Sequence, residues 1–231
     1  MKGVKFGEKH SFNDFGLILS SKIISQPEVQ TNRINVPLRD GSIDLTGSIT
    51  DVPKYKDRNI KLVFSVIDPI ETWSVKISQI ANYLHGEKMK IIFDDDAKFY
   101  YTGMLSINEI SSDRNIGTLV IDGVVDPFKY DIVSTAIDWE WDVFDFEEGI
   151  INETGNLIVD GTRTIILTCR KKRMFPNFIA SAPMTVEFKG ETFNLKEGSQ
   201  KVYGIFFEEG DNEMTFKGNG TITIDYIGGS L

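Results

Sequence analysis

The sequence predicts a mainly β protein: an N-terminal β-rich domain with one covering helix, then a C-terminal antiparallel β-sandwich. Three observations predict this. Short runs rich in β-branched and aromatic residues recur along the chain, separated by clusters of Gly, Asp, Asn and Ser. A strong helical period occurs once, between Trp73 and Leu84. Beyond Asn156 the runs follow one another at regular short spacing with no helical period, as in a sandwich or barrel.

The elements follow in chain order. Ile34-Asn35-Val36-Pro37-Leu38 alternates apolar and polar, Arg39-Asp40-Gly41-Ser42 supplies turn chemistry, and Ile43 to Gly47 alternates again, which predicts a β-hairpin. Pro37 cannot donate to a ladder, so the hairpin is expected at an edge or in a projecting arm. Ile60 to Ile67 reads as a core strand with Ile60, Leu62, Phe64 and Val66 on one face. After Asp68-Pro69, residues Trp73, Ile77, Ile80, Ala81 and Leu84 form one stripe of an amphipathic helix that stops at Gly86. The stripe has core spacing rather than that of a ligand box. Strands are expected at Met89–Phe93, Phe99–Leu105 and Gly117–Val125. Ile137, Trp139, Trp141 and Val143 share a face of a further strand that opens the second domain. Strands then follow at Thr164–Cys169, Met184–Lys189, Glu191–Leu195, Lys201–Phe207, Glu213–Lys217 and Thr221–Ile227. Lys189-Gly190, Glu197-Gly198-Ser199, Glu209 to Asn212 and Gly218-Asn219-Gly220 read as the turns. The domains are placed at 1–133 and 134–231, with the boundary near residues 131 to 137.

A chain of 231 residues can bury two cores without staples. Its single cysteine, Cys169, permits no intrachain disulfide, and its apolar surroundings make it a buried small hydrophobe. No apolar run reaches the ~18 residues that would span a bilayer, and the N-terminus lacks a signal-peptide hydrophobic region, so synthesis and folding in the cytoplasm are expected. A net charge of -9 disfavours a broad phosphate-binding surface, and specific nucleic-acid binding is not expected. Acidity concentrates toward the C-terminus, above all in Asp138 to Glu148, which holds six acids and no base and faces water or a basic partner.

Reactive chemistry is scarce. His10 and His85 are the only histidines, too few for a structural zinc site, and neither lies in a context that marks a general base. His85, just before Gly86, suits a helix C-terminus. Asp94-Asp95-Asp96 lacks the alternate spacing, glycine and distal glutamate of a calcium loop and reads as a solvated turn between strands. No phosphate-cradling glycine motif is present. The basic cluster Arg170-Lys171-Lys172-Arg173 reads as a solvated loop, or else as a dock for the acidic 138–148 stretch of a neighbouring copy. Asn152-Glu153-Thr154 and Asn219-Gly220-Thr221 match a glycosylation sequon without a secretory signal, hence by chance. No catalytic residue, metal site or cofactor is expected.

Several segments in order resemble the N-terminal domain of the phage distal tail (Dit) family: Val36 to Thr46, Asn59 to Phe64, Leu84 to Lys88, Tyr100 to Leu105 and Asp126 to Tyr130. The resemblance spans about 130 residues by order and spacing. The C-terminal part is similar only in general pattern, ending in Gly220 to Tyr226. The resemblance implies a virion tail-tip protein of a siphophage, or the equivalent hub of a contractile tail or tail-like bacteriocin, without enzymatic activity, forming a ring, usually a hexamer. That ring would join the tail tube protein to a tail-associated lysin or fibre and to receptor-binding or baseplate proteins. It also implies a ring-forming N-terminal domain whose hairpin clasps the adjacent subunit, and a galectin-like or carbohydrate-module-like C-terminal sandwich. The Pro37–Leu45 hairpin, or Thr50–Arg58 after it, is expected near the subunit contact. The alternative is a carbohydrate-binding host-recognition module in the C-terminal sandwich. No tryptophan follows Trp141 to form its platform, so the scaffold reading is preferred.

Overall fold

The computed structural model describes residues 3–46, 52–66, 72–112, 117–136 and 154–231. The expected strand through Ile137, Trp139, Trp141 and Val143, the acidic stretch 138–148 and the sequon at Asn152 lie outside these residues. The chain divides into two compact units, residues 1–129 and 130–231. Among the described residues the mainly β class with a single α-helix is observed.

The first unit contains β1 (Val4–Phe6), β2 (Lys9–His10), β3 (Leu17–Ile24), β4 (Arg33–Asn35), β5 (Ser42–Asp44), β6 (Arg58–Val66), α1 (Trp73–Leu84), β7 (Lys88–Phe93), β8 (Phe99–Ser112) and β9 (Gly117–Val125). The short β10 (Lys129–Asp131) lies at the boundary between the units. Its main sheet runs in the order β2-β1-β7-β8-β9-β6-β3, with every neighbouring pair antiparallel. The period-2 pattern sets the faces: Ile60, Leu62, Phe64 and Val66 of β6 point inward beside Leu119, Ile121 and Val125 of β9. α1 drops Trp73, Ile80 and Leu84 into the same core, and each such side chain contributes about 1.5–3 kcal/mol relative to exposure. The helix ends as its glycine predicts: the His85 N–H donates to Ala81 O, and the Gly86 N–H turns to Leu105 O.

The second unit contains β11 (Leu157–Cys169), β12 (Asn177–Ala180), β13 (Met184–Phe188), β14 (Glu191–Leu195), β15 (Gly198–Lys201), β16 (Gly210–Asp225) and β17 (Gly229–Ser230). β16 is its spine. β11 pairs with it from Gly210 to Ile222 along one edge. Along the other edge β13 takes Met214 to Lys217 and β12 takes Ile222 to Asp225. The sheet therefore forks, one branch ending in β14 and the other in β15. Both branches bury side chains in one core, including Val186, Phe188 and Leu195 from the first and Phe178 and Ala180 from the second.

Several expectations are corrected here. Glu213–Lys217 and Thr221–Ile227 are not two strands joined by a turn. Gly218 and Gly220 sit inside β16 at φ 150° and 145°, backbone that L side chains rarely adopt. They mark the fork: a Cβ on Gly218 would fall 2.7 Å from Met184 Cβ, and one on Gly220 2.7 Å from Ser181 Oγ, so the β12–β13 corner crosses the bare backbone there. Glu209 to Asn212 likewise runs into β16 rather than turning. Beyond Lys201, the chain of the expected 201–207 strand leaves β15, and Phe207 pairs with Met174 through an isolated bridge. Pro37 lies in the hairpin turn, not in its strand.

Candidate functional site

The feature that leaves the packed body of the first unit is the chain between β3 and β6. Antiparallel hydrogen bonds tie its two limbs together outward from the sheet edge. Ser25 N–H donates to Asn59 O at 2.9 Å, Lys56 N–H to Glu28 O at 2.8 Å and Gln30 N–H to Lys54 O at 2.8 Å, around a Val29–Tyr55 bridge. Leu45 N–H then donates to Asn32 O at 2.7 Å, and β4 pairs with β5 in the register Arg33–Asp44, Ile34–Ile43, Asn35–Ser42. β4 and β5 form a two-stranded sheet of their own. The hairpin is thus a ribbon projecting from the sheet, as the position of Pro37 suggested.

Local contacts stiffen it. Tyr55 meets Phe128 edge-on at 5.7 Å between centroids. Lys56 Nζ lies 2.9 Å from Glu28 and, by hydrogen bond first and charge second, holds that carboxyl below its ordinary range. Hydrogen bonds from Thr46, assisted by Arg33, lower the Asp44 carboxyl in the same way.

The tip is the unusual part. Val36-Pro37-Leu38-Arg39 closes with an Arg39 N–H to Val36 O bond of 3.2 Å, and Leu38 has φ +64°. Proline second and a left-handed residue third is the pattern of a type II turn, whose third position favours Gly or Asn. Leu38 is also fully exposed, at 110% relative accessibility. Val29, Ile34 and Ile43 are further exposed apolar side chains along the ribbon. A lone two-stranded hairpin is marginal in water, and this one leaves apolar side chains exposed along its length. Sequence reasoning found the hairpin but read Leu38 as a strand residue. Pro37, a residue favoured at the second position of a turn, is the signal that could have placed Leu38 at the tip.

The polar groups singled out from the sequence are dispersed. His10 Nε2 lies 3.2 Å from Asp94, which also accepts the Gly3 N–H at 2.6 Å. His85 caps α1, and its Nδ1 accepts the Ile107 N–H at 3.0 Å. Asp94-Asp95-Asp96 is a short 3-10 turn, but its carboxylates are engaged rather than merely solvated. Asp94 pairs with His10, Asp95 with Lys22 at 2.8 Å and Asp96 with Lys129 at 3.0 Å. Three parts of the chain are fastened to one turn. Among the described residues, no group of three or more His, Cys, Asp or Glu could hold a metal.

In the second unit, Arg170 bonds Asp131 at 2.5 Å and Lys171 bonds Glu209 at 2.9 Å. Lys172 covers Tyr130, and Arg173 binds Glu208. The basic cluster is therefore partnered within its own unit. Glu208 also receives Lys189, whose hydrogen bond is the first cause of its lowered carboxyl pKa. Phe206 lies under Arg173 and Lys189 and against the exposed Phe175. Cys169 is buried, and burial pushes its thiol up. No described helix is long and apolar enough to cross a membrane.

No protein-family model matches the chain, and no curated protein matches it. Among solved structures it is similar to the crystal structure of SPP1 Dit (gp 19.1), titled a paradigm of hub adsorption apparatus in phages infecting Gram-positive bacteria. The TM-score is 0.66 and the identity 11%, with all of each chain covered. At that identity the likeness is one of fold, and by that measure this chain is built like a phage distal tail protein over its whole length.

Proposed function

We propose that this chain is a structural protein of a phage tail tip: a distal tail protein whose copies close into a ring, a hexamer by family resemblance, acting as a hub. The observation that carries this reading is the full-length likeness to SPP1 Dit, described as a paradigm of the hub adsorption apparatus. The projecting ribbon adds support, because a limb displaying apolar residues needs a second surface to cover it. In this reading residues 1–133 form the ring and its ribbon clasps the next copy. Residues 134–231 form a galectin-like or carbohydrate-module-like sandwich domain. The ring's partners are the tail tube protein, a lysin or fibre, and receptor-binding or baseplate proteins. Function is geometric and requires no catalytic group. Sedimentation of the purified chain tests it: a closed oligomer is expected, and substrate turnover abolished by one substitution would overturn the non-enzymatic role.

A second reading, carbohydrate binding by the second unit, draws on the exposed Phe175 and Tyr203. Against it, the ring of Phe206 beside Phe175 is already engaged by two cations. Cell-wall pull-down that is lost in Phe175→Ala would favour this reading over the scaffold.

A further inference from the structure

We propose that Leu38 at the ribbon tip is the anchor of the contact between copies, and that it docks on the exposed Met104–Val124 pair of a second copy. The inference rests on the ring reading and names the surface that receives the ribbon.

Leu38 occupies a backbone position that disfavours it and a surface position that disfavours it. With φ +64° at the third place of a turn, Gly or Asn would relieve the strain, so the backbone does not call for leucine. With its side chain fully in water, the body of its own chain does not call for leucine either. What remains is a surface supplied from outside.

The same chain carries a matching surface. Met104 of β8 and Val124 of β9 are direct cross-strand partners on the outer face of the sheet, 56% and 54% exposed. Their flanking positions are polar: Lys88 pairs with Met104, and Asn59 with Val124. The result is a small apolar spot in a polar rim, the layout of an interface anchor site. Charge complements it. Arg39 and Asp40 beside Leu38 form no ion pair among the described residues, nor does Lys88 beside Met104, so Asp40 of one copy can meet Lys88 of the next. Leu38 does not reach its own Met104, because it is fully exposed. Contact between unlike patches is heterologous, and when its rotation closes it generates a ring.

Three variants test this. Leu38→Gly relieves the turn and removes the side chain. The thermal midpoint should stay or rise, while the dissociation constant of the oligomer rises at least tenfold. Leu38→Asp should weaken assembly further. In the third, Leu38→Cys with Met104→Cys, a short bis-maleimide should give a ladder of linked chains on a denaturing gel that neither single variant gives, Cys169 being buried. Unchanged assembly in Leu38→Gly, or no ladder from an oligomeric double variant, overturns the docking and leaves the ring reading standing. A wild-type chain that is only monomeric overturns both.

Discussion

The indole of Trp73 lies where a side chain on Gly117 would have to stand: a Cβ built there would fall 0.7 Å from Trp73 Cη2. The helix thus docks through its first residue onto bare backbone at the start of β9, and the glycine is required by space alone.

Gly117→Ala should therefore lower the stability of the first unit by about 2–3 kcal/mol, at the upper end for an overpacked core. Trp73→Ala should cost about 3–5 kcal/mol. In the Trp73→Ala background, Gly117→Ala should cost little, since the clash is gone. Urea denaturation of the four proteins measures this coupling, and simple additivity would refute it.

At the fork of the second unit, Gly218→Ala combines a poor backbone conformation with contact at Met184. A loss of about 2 kcal/mol or more is expected in the transition of that unit. Calorimetry should show the transition of the first unit unmoved.

Asp94 accepts the Gly3 N–H and holds His10, joining the N-terminal strands to the end of β7. Asp94→Ala should cost about 1–2 kcal/mol and raise amide exchange in β1 and β2 well above that in β6 and β9.

Glu208 is held below its ordinary range, first by the Lys189 hydrogen bond, which together with Arg173 outweighs the opposing desolvation. A carboxyl with a depressed folded pKa contributes stability above its unfolded value, near 4.5, and loses that contribution as pH falls through the folded value. Glu208 is about a third exposed, so solvent screening makes the effect small. Glu208→Gln should narrow the stability difference between neutral pH and pH 3–4, and a denaturation series across that range checks the sign.

The central strands and the helix were legible because each carries a single period. Ile60, Leu62, Phe64 and Val66 alternate, and Trp73, Ile80 and Leu84 share a helical stripe, so local pattern and burial agree. β1, β2 and β12 were missed because runs of two to four residues carry too little period to register. β3 is longer, but its Ser20-Ser21-Lys22 centre and the register shift between Leu19 and Ser21 interrupt the alternation. β16 was split in two because Gly218-Asn219-Gly220 has the composition of a turn. Its true role, close passage of the Ser181–Met184 corner, is a long-range contact that no local rule encodes. The ribbon was legible as a hairpin with a proline. The conflict at Leu38 between residue type and φ appears only once the turn is built.

Sedimentation velocity of the purified chain tests the central claim most directly. The account predicts one closed species at the hexamer mass of this 26.1 kDa chain, shifting toward monomer when Leu38 becomes Asp. A chain that sediments only as monomer across the micromolar range, with or without Leu38, would contradict it.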